Sequence, residues 1–164
     1  MSRRLPIFVL ALGVVVLDQA TKALVIAKIA LYQTIPVVKG FFDLTHLRNA
    51  GAAFGVFSSA GSSRPLLITL LALAVFGGVL AWSLTTPPEY RLLQTAFSLI
   101  MGGAVGNLID RLRFQAVTDF LRFYVDRWEW PSFNVADSAI SVGVVLLAWD
   151  IWRRPSPTRP AERA

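Results

Sequence analysis

The sequence contains no cysteine and only one histidine, His46. The lack of cysteine excludes disulfide bonds, thiolate metal ligands and a cysteine nucleophile at the same time. A zinc site would have to be built with this single histidine, and a Ser-His-Asp triad would depend entirely on it. We therefore expect no metal and no cofactor, and we interpret His46 as a loop or interface residue rather than a catalytic base.

Charged residues are also scarce, at 16% of the chain, whereas 55% of the residues are hydrophobic. A soluble domain carries about 25% charged residues, so the composition indicates a protein whose surroundings are largely lipid. The net charge of +6 does not indicate a nucleic-acid partner. The basic residues are scattered or lie beside apolar runs, where they can face anionic lipid headgroups.

Long apolar stretches are what the sequence has in abundance. Crossing a bilayer takes about 20 residues of helix, and we predict four transmembrane helices, over about residues 5–27, 66–84, 92–109 and 134–152. The first stretch is interrupted by Asp18 and lacks a clear A-x-A cleavage site, so we expect a retained helix rather than a secretory signal. An even number of spans puts both termini on one side, and the density of Lys and Arg there favours the cytoplasm.

Two longer segments, residues 28–65 and 110–133, connect the spans on the opposite side. The first alternates polar and apolar residues around positions 35–38 and 41–47, which predicts a small β-sheet. The second mixes aromatic and charged residues and is typical of a loop at the lipid–water interface. We predict an all-α membrane domain over residues 1–152, with this extracytoplasmic sheet and loop, and a basic, Pro-rich cytoplasmic tail over residues 153–164.

Asp18, Thr21 and Lys22 lie inside the first predicted span. A charged side chain near the middle of a membrane helix costs at least about 2.5–3.5 kcal/mol, so such residues are candidates for function. Their spacing places them on one helix face, with the acid before the base in the order that favours an ion pair. Two interpretations stay open: an internal ion pair that faces the bundle interior, or a direct role near an active site.

The third span ends in a glycine-rich stretch that also carries Asn107, Asp110 and Arg111. Glycines such as Gly102 and Gly106 let helix backbones approach closely in lipid. Packing explains the glycines, but it does not explain polar side chains that share one helix face and must find partners.

The fourth span opens with Asn134 and Asp137, which share a polar stripe with Ser138 and Ser141. Asn134 could be a plain N-cap, and Asp137 a first-turn acid that complements the helix dipole. Because Asp137 lies at the mouth of a membrane span, we favour a functional role. Asp119 is its candidate partner, since the end of the third span and the start of the fourth emerge on the same side.

Two carboxylates that lie close together in a low-dielectric site cannot both ionise easily, so one keeps a proton. The ionised acid can then deprotonate a water while the protonated acid donates to a substrate carbonyl. This chemistry hydrolyses a peptide bond without metal, thiol or histidine. A Ser-Lys pair made of Ser138 and Lys22 is conceivable, but no spacing supports it.

The sequence resembles the lipoprotein signal peptidase (signal peptidase II) family of aspartic peptidases over about residues 5–152. The matching blocks, in chain order, are Asp18-Gln19-Ala20-Thr21-Lys22, Asn49-Ala50-Gly51-Ala52-Ala53-Phe54, Gly102-Gly103-Ala104-Val105-Gly106-Asn107-Leu108-Ile109-Asp110-Arg111, Val117-Thr118-Asp119-Phe120 and Phe133-Asn134-Val135-Ala136-Asp137-Ser138. Each block alone is weakly specific, but their order within a chain of four predicted spans is a strong signal.

The resemblance implies that Asp119 and Asp137 are the catalytic pair. The residues that it implies bind substrate or organise the site are Asp18, Lys22, Asn49, Gly51, Asn107, Arg111 and Asn134. We assign Asp110 mainly to structure, at the turn after the third span. The sheet in the first long segment is expected to form a cradle on the membrane surface.

The resemblance further implies a substrate and a location. The substrate is expected to be a prolipoprotein whose cysteine carries a diacylglyceryl group, cut just before that cysteine. The family works in the bacterial cytoplasmic (inner) membrane and is inhibited by the cyclic peptide globomycin. We expect an active site near the extracytoplasmic face, contacts with membrane lipids and a monomeric enzyme.

A small ion- or proton-coupled transporter is the main alternative, with Asp18, Asp110 and Asp137 as a proton relay. The acids gather at one end of the membrane, which leaves the second and third spans without a path across. A structural or scaffolding membrane protein is a further alternative, but it leaves the Asn and Asp clusters unexplained.

Overall fold

The computed structural model describes residues 4–51 and 64–153. Within them lie four helices, α1 (Leu5–Lys28), α2 (Arg64–Thr85), α3 (Arg91–Phe114) and α4 (Val135–Arg153). By length and composition, all four can cross a membrane, which confirms the prediction of four transmembrane helices. Of the predicted tail, residues 153–164, Arg153 is the last residue of α4, and the rest lies outside the described residues.

Helix α3 is longer than the sequence indicated and runs to Phe114 instead of ending near residue 109. It ends where Gln115 adopts a left-handed conformation (φ 56°) and donates its N–H to the Arg111 carbonyl. Asp110 and Arg111 therefore lie within the last turns of a helix, and not in the turn after it.

The bundle is built around α3. Of the apolar window of α3, 61% is buried, against 22% or less for each of the other three helices. A Cβ atom at Gly102 would lie 2.7 Å from the Ala11 carbonyl oxygen of α1, and one at Gly103 would meet the Ala136 carbonyl oxygen of α4. The glycines thus let two neighbouring helices touch the backbone of α3, as small residues do in lipid.

The short turn between α2 and α3 is closed by Gln94. Its Nε2 donates to the carbonyl oxygens of Thr86 at 3.0 Å and Pro87 at 3.3 Å. The first contact satisfies the carbonyl of Thr86, which directly follows α2. The second adds to the backbone hydrogen bond that the Pro87 carbonyl accepts from Tyr90. The predicted stop at the two prolines is confirmed.

An antiparallel sheet lies where α1 and α3 end and α4 begins, with strands β1 (Thr34–Val38), β2 (Phe42–Asn49), β3 (Val117–Val125) and β4 (Trp128–Glu129) in that spatial order. The strands predicted in the first long segment are confirmed. Strand β3 differs from the interfacial loop that its aromatic and charged residues predict. Both faces of the first half of β3 are buried, so polar and apolar residues do not alternate there.

The sheet is joined to the end of α1 by an apolar cluster and a hydrogen bond. Phe120 of β3 packs with Val25 and Ile29. Nδ1 of His46 lies 2.8 Å from the Ile29 carbonyl oxygen, to which it donates. His46 is a buried residue of strand β2, 5% exposed, so its assignment to a loop was wrong.

Candidate active site

Asp119 and Asp137 meet where β3 and the first turn of α4 come together, and one residue, Asn134, contacts both. Asn134 Nδ2 donates to Asp119 Oδ1 at 2.8 Å. Its backbone N–H donates to Asp137 Oδ2 at 3.3 Å, and the Asp137 N–H returns to Asn134 Oδ1 at 2.9 Å. The two carboxylates are therefore held on either side of a single asparagine.

The exchange between Asn134 and Asp137 is a reciprocal helix cap, in which each side chain accepts the backbone N–H of the other. The N-cap interpretation of Asn134 is thus correct. It does not compete with a functional one, because the amide group of the same side chain faces Asp119. The start of α4 fixes the position of Asp137 through the backbone.

Two further asparagines complete the shell around the acids. Asn49, at the end of β2, donates from Nδ2 to Asp119 Oδ2 at 2.9 Å. Asn107 of α3 donates from Nδ2 to Asp137 Oδ1 at 2.7 Å. Each oxygen of both carboxylates therefore accepts an N–H, from a side chain or from the backbone.

The pKa of Asp119 lies close to neutral pH, so this acid can gain or lose a proton there. Burial raises the pKa of Asp119 to about 7, and the hydrogen bond from Asn49 opposes that rise. The negative charge of Asp137 raises the pKa further, whereas Asn134 and Lys22 lower it. A buried carboxyl group beside a second acid has the protonation behaviour that general acid–base chemistry requires.

Behind Asn107 lies a fully buried ionic cluster of Asp18, Lys22 and Asp110. Lys22 Nζ is 2.9 Å from Asp18 Oδ2 and 3.3 Å from Asp110 Oδ2. The predicted pair of Asp18 with Lys22 is confirmed, and it gains Asp110 as a third member. The acids also bind backbone: the Ala136 N–H donates to Asp18 Oδ1 at 2.9 Å, and the Thr118 N–H to Asp110 Oδ2 at 2.8 Å. The cluster thus anchors α4 and β3 to the bundle.

Gln19 completes this cluster, although it was not among the residues predicted for the site. Its Nε2 donates to Asp18 Oδ2 at 3.1 Å, Asp110 Oδ1 at 3.2 Å and the Gly106 carbonyl oxygen at 3.1 Å. A polar residue next to Asp18 in an apolar helix is the signal that could have identified it. Thr21, in contrast, donates back to its own helix, to the carbonyl oxygens of Leu17 at 2.8 Å and Asp18 at 2.9 Å, and not to the side chains of the cluster.

Arg111 is half-buried in α3 and lies within electrostatic range of Asp137, Asp119 and Asp110. Among residues 4–51 and 64–153, its guanidinium makes neither a hydrogen bond nor a salt bridge with another side chain. A cation near the two acids of the candidate pair is therefore available to a bound molecule.

Gly51 has a positive φ of 91° and donates its N–H to Asn49 Oδ1 at 2.9 Å. A side chain would be strained at this φ, so glycine lets the chain turn back and hold the Asn49 amide. Residues 52–54 of the same sequence block lie outside the described part of the chain. Ser138 donates to the Asn134 carbonyl oxygen at 2.9 Å and Ser141 is exposed, so neither contacts the acids.

Across the described ranges, no three or more His, Cys, Asp or Glu side chains are grouped so that they could hold a metal ion. The acids near one another are instead bound by amide, ammonium and backbone N–H groups. The site has the donors and acceptors for proton transfer between two carboxyl groups and a water.

Comparison with known proteins agrees with this geometry. The family model for signal peptidase (SPase) II matches residues 10–153. A lipoprotein signal peptidase of Nitratidesulfovibrio vulgaris (strain DP4) is 47% identical over 152 residues, which are 92% of this chain and 91% of that protein. The lipoprotein signal peptidase of Geobacter metallireducens is 49% identical over 138 residues, 84% of this chain and 85% of that protein.

Solved structures give the same result. A bacterial membrane enzyme determined by the in meso method at 1.9 Å resolution is 27% identical, with a TM-score of 0.81, covering 92% of this chain and 94% of that one. A second, at 2.3 Å, has a TM-score of 0.82 at 26% identity and covers 97% of this chain and 94% of that one. The chain belongs to the signal peptidase II family and is a multi-pass bacterial membrane peptidase.

Proposed function

We propose that this chain removes the signal peptide from prolipoproteins by an aspartic mechanism, with Asp119 and Asp137 as the catalytic pair. Relatives that align over most of the chain are lipoprotein signal peptidases, which supports a prolipoprotein substrate. The observation that carries the mechanism is the position of Asn134, which hydrogen-bonds to both acids and so holds them at one site.

The reaction uses the two acids in opposite protonation states. Asp119, whose pKa of about 7 keeps it protonated below neutrality, donates its proton to the oxygen of the scissile carbonyl. Ionised Asp137 takes a proton from a water, whose oxygen attacks the carbonyl carbon. The tetrahedral adduct then breaks its C–N bond as the proton on Asp137 passes to the leaving amine and the adduct returns a proton to Asp119.

Arg111 supplies the positive charge of the site. Its guanidinium has no partner among the described side chains and lies near both acids. We assign it to a carbonyl or ester oxygen of the lipid-linked substrate, which it would hold through charge-assisted hydrogen bonds. Asn49, Asn107 and Asn134 hold the acids, while Asp18 and Lys22 organise the site from behind and Asp110 is structural.

The proposed placement has both termini in the cytoplasm and the sheet and acids near the extracytoplasmic face of the inner membrane. The first and last helices begin and end on one side, and the candidate site lies towards the other. The diacylglyceryl chains enter sideways between helices, and the cut falls just before the lipidated cysteine. We further propose one domain over residues 1–152 with a cytoplasmic tail from residue 153, a monomeric enzyme, contacts with membrane lipids, and inhibition by globomycin-type peptides.

The test is cleavage of a prolipoprotein by the purified protein in detergent. A substrate carrying the diacylglyceryl group and the same substrate without it are incubated in parallel, and the products are identified by mass spectrometry. We expect a single cut before the modified cysteine, little cutting of the unmodified chain, and loss of cleavage with globomycin. Equal cutting of both substrates, or a cut elsewhere, would contradict the proposed specificity.

The proton-coupled transporter considered from the sequence loses its support, because the chain is a member of a peptidase family. In addition, Asp18 and Asp110 both form ion pairs with Lys22, at the same end of the bundle as Asp137.

A further inference from the structure

The asparagines around the acids pose a problem of orientation. A side-chain amide has an acceptor end and a donor end, and only the donor end suits a carboxylate. Asn49, Asn107 and Asn134 all present their NH2 group to an acid. Their oxygen ends must therefore be held by groups that can only donate.

Two of the three amides are held by backbone N–H groups. The oxygen of Asn49 accepts from the Gly51 N–H at 2.9 Å, and the oxygen of Asn134 accepts from the Asp137 N–H at 2.9 Å. A backbone N–H cannot accept a hydrogen bond. These two orientations are therefore set by the path of the chain.

The third amide, that of Asn107, is held by a side chain. Lys22 Nζ donates to Asn107 Oδ1 at 3.0 Å, and an ammonium has N–H groups but no acceptor. Asn134 Nδ2 also approaches this oxygen, at 3.3 Å, but its two hydrogens are shared with closer acceptors on Asp119 and Thr118. Of these two donors, Lys22 makes the shorter contact and carries the charge.

We propose that Lys22 is a positioning residue of the peptidase, whose ammonium locks the Asn107 amide with its NH2 group against Asp137. This inference rests on the proposed role of Asp119 and Asp137 as the catalytic pair. Within the described part of the chain, the ammonium bonds to Asn107, Asp18 and Asp110, so its hydrogen-bonded path to Asp137 runs through Asn107, while its charge acts on both acids across space.

A reversed amide shows what the lock prevents. The Asn107 oxygen would take the place of Nδ2, 2.7 Å from Asp137 Oδ1, and its NH2 group would face the ammonium. Lys22 and ionised Asp137 both oppose this reversal. Once Asp137 has accepted a proton from the water, it can donate to an oxygen, and Lys22 is the charged group that still holds the amide in place. The lock therefore keeps the site organised through the step in which Asp137 is neutral.

Burial makes the lock dependent on Lys22. Lys22 is 1% exposed and Asn107 is 4% exposed. Solvent therefore has little access from which to supply a replacement donor to the Asn107 oxygen. The ammonium is also the counterion of Asp18 and Asp110, so its removal changes the buried charge as well as the amide.

The experiment separates these two effects by holding the buried charge constant. The double variant Asp18→Asn/Lys22→Met loses one negative and one positive charge together, so it is compared with the native enzyme at equal buried charge. Asp18→Asn alone shows the effect of losing the Asp18 carboxylate. The Ala136 N–H donates to Asp18 Oδ1 at 2.9 Å, and the amide oxygen introduced by Asp18→Asn can still accept it. Both kcat and KM are measured on the prolipoprotein substrate, and thermal unfolding gives the fraction of folded enzyme.

We expect kcat of the double variant to fall about 10- to 100-fold below that of the native enzyme and also below that of Asp18→Asn, the loss that a misplaced catalytic group produces. KM should stay unchanged, because Lys22 is buried behind Asn107. Asp18→Asn/Lys22→Gln, which retains an N–H donor at this position, should recover part of kcat. Asp110→Asn is the matched control: it removes an ion-pair partner of Lys22, leaves the contact with Asn107 and should keep kcat.

Equal kcat values for Asp18→Asn and the double variant would overturn the positioning role, as would a loss confined to KM. So would an equal loss in the Met and Gln variants, because then the donor would not matter. Asp119→Asn and Asp137→Asn are assayed alongside. If they stay active, the catalytic pair itself is wrong; if they are inactive and Lys22 has no effect on kcat, only the positioning role fails.

Discussion

The hydrogen bond from Asn49 to Asp119 should lower the upper pH limit of the enzyme. In the proposed mechanism Asp119 must carry a proton, so kcat falls as the pH rises through its pKa of about 7. Asn49 Nδ2 lies 2.9 Å from Asp119 Oδ2 and stabilises the charged form, which lowers the pKa. Asn49→Ala removes this donor, so the pKa of Asp119 should rise and the alkaline fall in kcat should move to higher pH.

The size of the effect follows from the strength of the bond. A hydrogen bond to a charged group contributes about 1.5–3 kcal/mol, and 1.36 kcal/mol corresponds to about one pH unit. Asp119 is 2% exposed, so solvent does little to replace the lost donor. The alkaline midpoint should therefore move upward by about 1–2 pH units.

The assay is kcat at saturating prolipoprotein between about pH 5 and pH 10, at constant ionic strength, a range that brackets the pKa of about 7 and the expected upward shift. The midpoint is a property of Asp119 and Asp137 together, because the two acids interact. The curve of each variant is therefore compared with the native curve, and not with the pKa of a single residue. Thr45→Val is the matched control, since Thr45 lies on the same strand and its hydroxyl donates to the Gln33 carbonyl oxygen at 3.2 Å. It should leave the midpoint unchanged. A midpoint that stays in place or falls in Asn49→Ala would refute the assignment of Asp119 as the proton donor.

Three further substitutions test packing and charge. Gly143→Ala should lower the free energy of unfolding by about 1–3 kcal/mol, as overpacking does, because its Cβ would lie 2.7 Å from Ile100 Cγ1. Chemical unfolding in detergent measures this free energy. An unchanged value would show that α3 and α4 can separate freely. Arg122→Gln breaks an exposed pair with Glu129 at 2.8 Å and a longer contact with the buried Asp43 at 3.4 Å. Loss of the exposed pair should cost less than about 1 kcal/mol. Cleavage should stay intact, so a large loss of cleavage would place Arg122 in the site. Asp18→Ala should reduce mainly the amount and thermal stability of folded protein, and a stable but inactive variant would move Asp18 into the site.

Much of the helical scaffold could be predicted from the sequence, because bilayer thickness and the cost of buried charge act on local sequence. The apolar runs indicate the spans, the prolines indicate the turn after α2, and the spacing of Asp18 and Lys22 indicates their ion pair. The predicted end of α3, near residue 109, falls short of the observed end at Phe114. The polar residues Asn107, Asp110 and Arg111 do not mark the end of this helix, which continues past them to Phe114. They mark only where α3 contacts the neighbouring helix and strand.

The sheet and the network of amides depend on contacts between segments far apart in sequence. Strand β3 is covered on both faces, so its pattern lacks the alternation by which β2 could be recognised. The orientation of Asn107 depends on Lys22, which lies 85 residues away along the chain. Thr21 shares the face of Asp18 but bonds to its own helix, which spacing alone does not reveal.

The most direct test of the account is turnover of the diacylglyceryl-modified prolipoprotein by Asp119→Asn and Asp137→Asn, each purified and shown to be folded. Asp126→Asn serves as the matched control, since Asp126 is exposed, and asparagine tolerates its positive φ of 52°. The account predicts that both site variants release no detectable signal peptide while the control cleaves like the native enzyme. Near-normal turnover by either folded site variant would contradict the two-carboxylate mechanism.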